Sequence, residues 1–363
     1  MTLDTNAIAG ALLHDLAAVQ TVREKTRAFD RAARTILQLD APLESLVGAD
    51  GTLEKIPGIG PSSLRVIVEV LETGGSPAVE KAVAASPKRA EILRSRDART
   101  NFFSRAAVVR ILADESLDGP SLADYRGDFQ MHSEWSDGDE PLLVMAKACL
   151  ARGYHHAAIT DHSHGLRIAG GLSASDLARQ HVEIDAVNRE LDGQFRLLKG
   201  VEANVAADGS LDLTADDLQM LEIVVAAPHA ALREAGDHTA RVVRAVETRG
   251  VHILGHPRGR KLGSRPGLVA DWDVVFRRAA ETGVAIEIDG DPTRQDLDHS
   301  LARRAADAGC FIALDSDAHR VEELRYADTA IAHARLAGIE LKQIVNCWPL
   351  DLLLEWSRLR KLG

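Results

Sequence analysis

Apolar residues recur at helical spacing through the first third of the chain. Ala7, Leu12, Leu13, Leu16 and Val19 form one such set, and Phe29, Ala32, Ala33, Ile36 and Leu37 form another. Each set predicts an amphipathic helix. Gly48, Gly51, Pro57, Gly58 and Gly60 then interrupt the pattern. A further helix is expected over 62–71, closed by Gly74-Gly75, with two or three more over 78–113. Residues 114–120 are polar, short and contain Gly and Pro, which marks a boundary. From residue 124 onward the pattern changes. Apolar runs at 157–160, 195–200, 223–227, 251–254, 284–288 and 311–314 alternate with helical stretches at 142–152, 173–191, 239–249, 272–282 and 299–308. Such alternation implies parallel strands, either open or closed into a barrel. Two domains are therefore expected: a helical one over 1–118 and an α/β one over 124–363.

Composition narrows the picture a little. The 363 residues are 45% hydrophobic and 27% charged, as in an ordinary globular chain. No apolar run is long enough to cross a membrane, and the opening segment has no secretory pattern. Cys149, Cys310 and Cys347 are widely spaced and sit in no thiol motif, so a reducing, cytoplasmic setting is expected. The net charge of −11 is uneven: residues 1–120 carry 15 basic and 16 acidic side chains, the remainder 28 and 38. That acidity argues against broad capture of nucleic acid by the second domain, and bound divalent cations would offset part of it.

The chemistry lies where the apolar runs of the second domain end. His132, Asp137, His162, Glu202, His229, His256, Asp317 and His319 each follow such a run or stand in a neighbouring short motif. Residues at the ends of successive parallel strands converge on one face of a barrel. In Asp317-Ala318-His319 two ligand types alternate, so both side chains point the same way in an extended segment. Imidazoles and carboxylates without thiolates suit zinc, manganese or iron. Glu202 could bridge two ions, and such a centre favours phosphoester hydrolysis. Arg167, Arg258, Arg260, Lys261 and Arg294 flank the ligands. Arg167 and Arg258, next to ligand motifs, are the expected phosphate contacts.

These stretches resemble a known family. Residues 128–138 (DFQMHSEWSDG), Thr160-Asp-His-Ser163, Leu198-Lys-Gly-Val-Glu202, Ala207-Asp-Gly-Ser-Leu-Asp212, Val251-His-Ile-Leu-Gly-His-Pro257, Asp315-Ser-Asp-Ala-His319 and Val345-Asn-Cys-Trp-Pro-Leu350 are similar to the PHP (polymerase and histidinol phosphatase) superfamily. They are nearest to the C-terminal PHP domain of bacterial and archaeal family X DNA polymerases. The resemblance implies a distorted (βα)7, TIM-like barrel holding two to three divalent ions (Mn²⁺, Zn²⁺ or Fe²⁺). It places nine ligand positions on Gln130 and the eight residues above, and the catalytic positions on His132, Glu202, His256 and Asp317. Gln130 is a departure, because the family usually has His there. The third ion, expected with His132, Glu202 and Asp317, is accordingly the weakest.

In the first domain, Ile56-Pro57-Gly58-Ile59-Gly60-Pro61-Ser62-Ser63-Leu64 resembles the hairpin of a helix-hairpin-helix motif, about residues 53–67. Gly58, Gly60 and Ser62 would present backbone N–H groups to a DNA phosphate. Leu53, Ile56, Ile59, Leu64 and Ile67 would form its small core. No nucleotidyltransferase palm separates the two domains. The sequence therefore predicts a metal-dependent phosphoesterase acting on DNA ends, as a 3′–5′ exonuclease or in 3′-end processing during repair. Alternatives are a small-molecule phosphatase of the histidinol-phosphate type and a non-catalytic DNA-binding protein with a degraded metal site.

Overall fold

The structure is a computed structural model describing residues 3–362. The described residues fall into two compact units. One runs up to Asp114 and includes Lys261–Pro266; the other comprises Glu115–Arg260 and the described residues from Gly267 onward.

The first unit is helical: α1 (Thr5–Val19), α2 (Arg23–Leu37), α3 (Pro61–Thr73), α4 (Pro77–Ala84), α5 (Arg89–Ala98) and α6 (Arg105–Ala113). Its core draws Leu12 and Leu13 from α1, Phe29 and Ile36 from α2, and Val66, Ile67 and Val70 from α3. The Asn6 side chain ties α1 to the chain after α2, donating to the Ala41 carbonyl at 3.0 Å and accepting from the Leu43 N–H at 2.8 Å. Buried Asp15 on α1 pairs with Arg96 and Arg99 of the α5 region, each at 2.6 Å. One expected core residue lies elsewhere. Leu64 is 39% exposed, because α3 turns Ser63, Val66, Ile67 and Val70 inward and leaves Leu64 off that stripe.

The second unit alternates α7 (Leu142–Ala151), β1 (His156–Ile159), α8 (Ala174–Glu190), β2 (Arg196–Val205), α9 (Ala215–Gln219), β3 (Ile223–Pro228), α10 (Thr239–Glu247), β4 (Ile253–Leu254), α11 (Trp272–Thr282), β5 (Ala285–Asp289), α12 (His299–Asp307) and β6 (Phe311–Asp315), then ends in α13 (Ala327–Leu336) and α14 (Leu350–Leu362). All strand pairs are parallel and neighbours follow chain order, β1 to β6. The ring closes through 128–132, a segment outside the apolar runs. Ala158 and Thr160 donate to Asp128 and Met131 on the β1 side, and His132 donates to Ala318 beyond β6. This is the seventh position of a distorted (βα)7 barrel. Phe129, Ala158, Leu198, Val225, Ile253, Ala285 and Ala313, one from each position, share one buried core. Trp348 and Trp356 cover the end where strands begin: Trp356 donates to the Gly283 carbonyl just before β5, and both rings stack edge-on against Phe311.

Two strands differ from expectation. β2 continues through Val205, five residues past its apolar run, because Glu202-Ala203-Asn204 stay paired with β3. β4 is cut to two residues: the His252 imidazole, instead of backbone, accepts the Val224 N–H at 3.0 Å.

Candidate metal centre

The closed ring brings all eight His, Asp and Glu candidates to the end where strands finish. Two sets of them have donor atoms within 4.8 Å of one another: His132, Asp137, His162 and His319, and His162, Glu202 and His229. His162 stands between the sets, with Nε2 3.4 Å from Asp137 and Nδ1 2.8 Å from Glu202. An imidazole ordinarily commits one nitrogen to one ion. With His162 in the first set, His256 completes the second: its Nε2 lies 2.9 Å from Glu202 Oε1, and His229 Nε2 lies 3.3 Å from the same oxygen. Separations of about 3 Å between donors are what bonds of roughly 2.0–2.2 Å to a shared ion require.

Buried polar atoms without a partner test the fit. Among the described residues, His132 Nδ1, His229 Nδ1 and His256 Nδ1 are buried and make no hydrogen bond, while His162 Nδ1 and Glu202 Oε2 face each other 2.8 Å apart. Orphaned groups of this kind are costly unless something else ligates them, and here they converge on one another. The donor set fits divalent ions.

The electrostatics say the same. Burial would raise the Asp137 carboxyl, yet the His162 and His319 imidazoles hold it well below the usual carboxylate range. Burial would lower His162 and His319, but facing carboxylates lift them to about 10 and about 9. The centre thus demands positive charge beside its carboxylates. His256 goes the other way: burial, then Arg294, push it down to about 4, so it is a neutral imidazole ready to ligate.

Local backbone explains how the ligands are aimed. Asp317 (φ 54°) and His256 (φ 23°) both take left-handed conformations rare for side-chain-bearing residues. The His256 N–H is held by the Glu287 carboxylate. Asp161 orients the His132 loop, accepting from the Ser133 N–H at 2.8 Å and Oγ at 2.6 Å, and from Gln180 Nε2 at 2.6 Å. Gly138 allows that loop to fold back on itself, since a Cβ there would lie 2.6 Å from the His132 carbonyl carbon. Asp315 accepts from the Phe129 N–H at 2.7 Å and from Asn346 at 2.9 Å, and burial lifts it to about 6.

Some expectations meet a different environment. Gln130 reaches the centre, but its Nε2 donates to Glu202 Oε1 at 3.0 Å while its Oε1 has no hydrogen-bond partner. Arg167 is exposed on the loop after His162. Arg258 is not the open fork expected: Nε lies 2.8 Å from Asp296 and Nη1 2.9 Å from Asp298, leaving Nη2 without a partner. Sequence reasoning placed Arg294 only among the basic residues flanking the ligands; its Nε lies 3.1 Å from Asp317. It also assigned no role to Asp161, Glu287 or Asp289. Membership of the Thr160-Asp-His-Ser163 motif was the one signal for Asp161; the contacts of the other three are visible only in three dimensions.

In the helical unit, Gly60 caps α3 without a side-chain hydrogen bond, and Pro61 opens the helix. Gly58 (φ 81°), Gly60 and Ser62 are exposed, and a Cβ at Gly60 would meet nothing within 4 Å. Thr35 of α2 flanks Gly58, and Arg27, Arg31 and Arg34 lie exposed on that helix.

A helix-hairpin-helix domain family matches residues 5–76. The DNA polymerase/3′-5′ exonuclease PolX of Bacillus subtilis (strain 168) is 38% identical over 234 residues, covering 64% of this chain and 41% of that protein. The chain therefore spans about two fifths of that relative. A probable phosphatase of Shewanella sp. (strain W3-18-1) is 32% identical over 182 residues, covering 47% of this chain and 70% of the relative. The chain belongs to the PHP superfamily. A solved histidinol phosphate phosphatase from Lactococcus lactis, complexed with zinc, L-histidinol and phosphate, aligns at TM-score 0.45 and 18% identity over 60% of this chain and 95% of that one. No helix among the described residues of this PHP protein is long and apolar enough to cross a membrane.

Proposed function

We propose that this PHP protein is a divalent-metal phosphoesterase acting on DNA ends, as a 3′–5′ exonuclease or 3′-end-processing enzyme. The observation that carries the hydrolase reading is the convergence of seven candidate ligands, all but Asp137 buried or half-buried, into two adjoining sets that share His162 and meet at Glu202. His132, Asp137, His162 and His319 would hold one ion, and Glu202, His229 and His256 the other. When bound, such ions activate water at neutral pH and withdraw charge from a phosphoryl oxygen. The chain's own part is to fix this geometry. Glu202 aligns the two sets, neutral His256 offers a lone pair, and Asp161 and Glu287 hold the loops that carry the ligands. Arg167, exposed beside His162, steadies the substrate phosphate, and Arg258 has only Nη2 left for that task.

DNA as substrate is supported by the helical unit and by the polymerase–exonuclease relative. Gly58, Gly60 and Ser62 present exposed backbone at a helix start, where phosphate binds without regard to sequence, and the exposed arginines of α2 add charge. The phosphatase relative favours a second reading, a small phosphomonoester as substrate. The test is Mn²⁺-dependent hydrolysis of a 3′-hydroxyl oligonucleotide beside histidinol phosphate, with His256→Ala as control. Stepwise release of mononucleotides by wild type alone supports the DNA-end reading. Turnover of the small ester alone replaces it with the second.

A further inference from the structure

Two of the nine family ligand positions behave unlike the other seven. Gln130 and Asp317, with His132 and Glu202, would define a third ion. Among the described residues His132, Glu202 and Asp317 are not one of the sets of mutually close His, Asp and Glu donors, although His132 Nε2 lies 3.6 Å from Glu202 and 3.2 Å from Asp317. Each of the two odd positions is engaged within the protein instead, Gln130 as a donor and Asp317 as an acceptor. The Gln130 amide N–H points at Glu202 Oε1, 3.0 Å away. Asp317 is faced by His132 Nε2 at 3.2 Å and Arg294 Nε at 3.1 Å.

Arg294 is largely buried and surrounded by carboxylates, with Asp289 at 3.4 Å and Asp291 at 3.8 Å besides Asp317. A guanidinium stays protonated in proteins and cannot ligate a cation. It repels a divalent ion placed against the same carboxylate. The chain also pins the arginine in place. Arg260 donates from Nε to the Arg294 carbonyl at 2.9 Å and from Nη2 to the Gln295 carbonyl. Arg258 grips Asp296 from its backbone N–H at 2.9 Å and its Nε at 2.8 Å. Gln295 between them sits at φ 44°, a conformation that persists only where the surroundings impose it. The two arginines after the His256 motif therefore clamp the loop that carries Arg294.

We infer that the centre is built for two divalent ions, and that the Arg294 guanidinium, with the Gln130 amide, takes the charge-balancing role of a third ion beside Asp317 and Glu202. Gln130 and Arg294 act as a pair: the first removes a ligand, the second supplies a fixed positive charge. Restoring histidine at position 130 alone leaves the guanidinium in place, so the third position opens only when both change.

This inference rests on the metal-centre reading but needs no substrate, so a failure of the phosphoesterase assignment leaves its test intact. The full chain is stripped of metal, reloaded with excess Mn²⁺, desalted, and its ions per chain are counted by plasma mass spectrometry. Wild type should hold about two, and Gln130→His about two. Gln130→His with Arg294→Gln should hold about three, and Gln130→His with Arg294→Lys should stay near two because the charge remains. Circular dichroism checks folding, and Arg294→Met, similar in volume, replaces Arg294→Gln should the latter unfold. Three ions in wild type overturn the inference. So does a third ion in Gln130→His alone, or its absence from the folded double variant.

Discussion

In the helical unit the surface proposed to meet a phosphate is backbone: Gly58, Gly60 and the first turn of α3, exposed, with arginines nearby on α2. In the barrel the reactive surface is side chain, and most of it is buried: His132, Glu202 and His256 have almost no exposure. The first arrangement, on that proposal, would read charge and tolerate many sequences. The second holds ligand atoms about 3 Å apart and tolerates few changes. The units should therefore respond to substitution in opposite ways, large in the barrel and graded in the hairpin.

The sharpest break falls in the barrel. His256→Ala removes an imidazole with 2.9 Å access to Glu202 and should lower phosphoester turnover roughly 10³-fold or more, since one side of a two-ion clamp is lost. Its circular dichroism should match wild type, because His256 lies at the strand-end face and not in the apolar core. Equal turnover by the variant would remove His256 from the centre.

Metal removal separates the units next. Ions bound to the folded barrel at about 100 times their dissociation constant stabilise it by about 2.7 kcal/mol. Chelation should therefore raise hydrogen exchange in 128–132, β2 and β3 while α1 to α4 keep their protection. A uniform change across both units would mean that the ligands are not confined to the barrel.

How much of this was legible follows from the range of the interactions. The alternation of apolar runs and the polar residues after them is local, so all six strands and the eight His, Asp and Glu candidates were readable, though the bounds of β2 and β4 were not. The seventh barrel position was not, because 128–132 carries Asp128, Gln130 and His132 in alternation and pairs through hydrogen bonds to distant strands. Glu202 fell outside its expected strand for a similar reason: a polar residue ends an apolar run on paper, while pairing with β3 carries the strand onward. Arg294 is the clearest case. Nothing in Asp291-Pro-Thr-Arg294 shows that the arginine will meet Asp317, since that meeting depends on how the ring closes and on the grip of Arg258 and Arg260. Leu64 shows the converse, an apolar residue that helical phase turns outward.

The hairpin calls for a milder test. Gly60→Asp adds a carboxylate where a phosphate would sit. The backbone there (φ −88°, ψ 170°) accepts any residue, and a Cβ meets open space. Asp is also a better N-cap than Gly, so the fold of α3 should hold or improve. Binding to a short single-stranded oligonucleotide should weaken about tenfold, about 1.4 kcal/mol, measured by fluorescence anisotropy at low salt. Hydrolysis of a small phosphomonoester, if present, should not change. Unaltered DNA affinity would show that the hairpin has only a packing role.

The smallest expected effect is at Leu64, set against the buried Ile67 of the same helix. Ile67 is fully buried and Leu64 is 39% exposed, three residues apart on the same helix. Ile67→Ala should cost about 2–5 kcal/mol, the usual range for deleting a buried branched side chain. Leu64→Ala removes surface that is already partly in water, and alanine has the higher helix propensity, so it should cost less than about 1 kcal/mol. Urea unfolding of the full chain, followed by helical circular dichroism, gives both values. A Leu64→Ala cost matching that of Ile67→Ala would place Leu64 in the hairpin core and shift the inward stripe of α3. A small cost would instead leave Leu64 as part of the surface beside Gly60, where an apolar side chain next to exposed backbone N–H groups can contact the sugar or base attached to a bound phosphate.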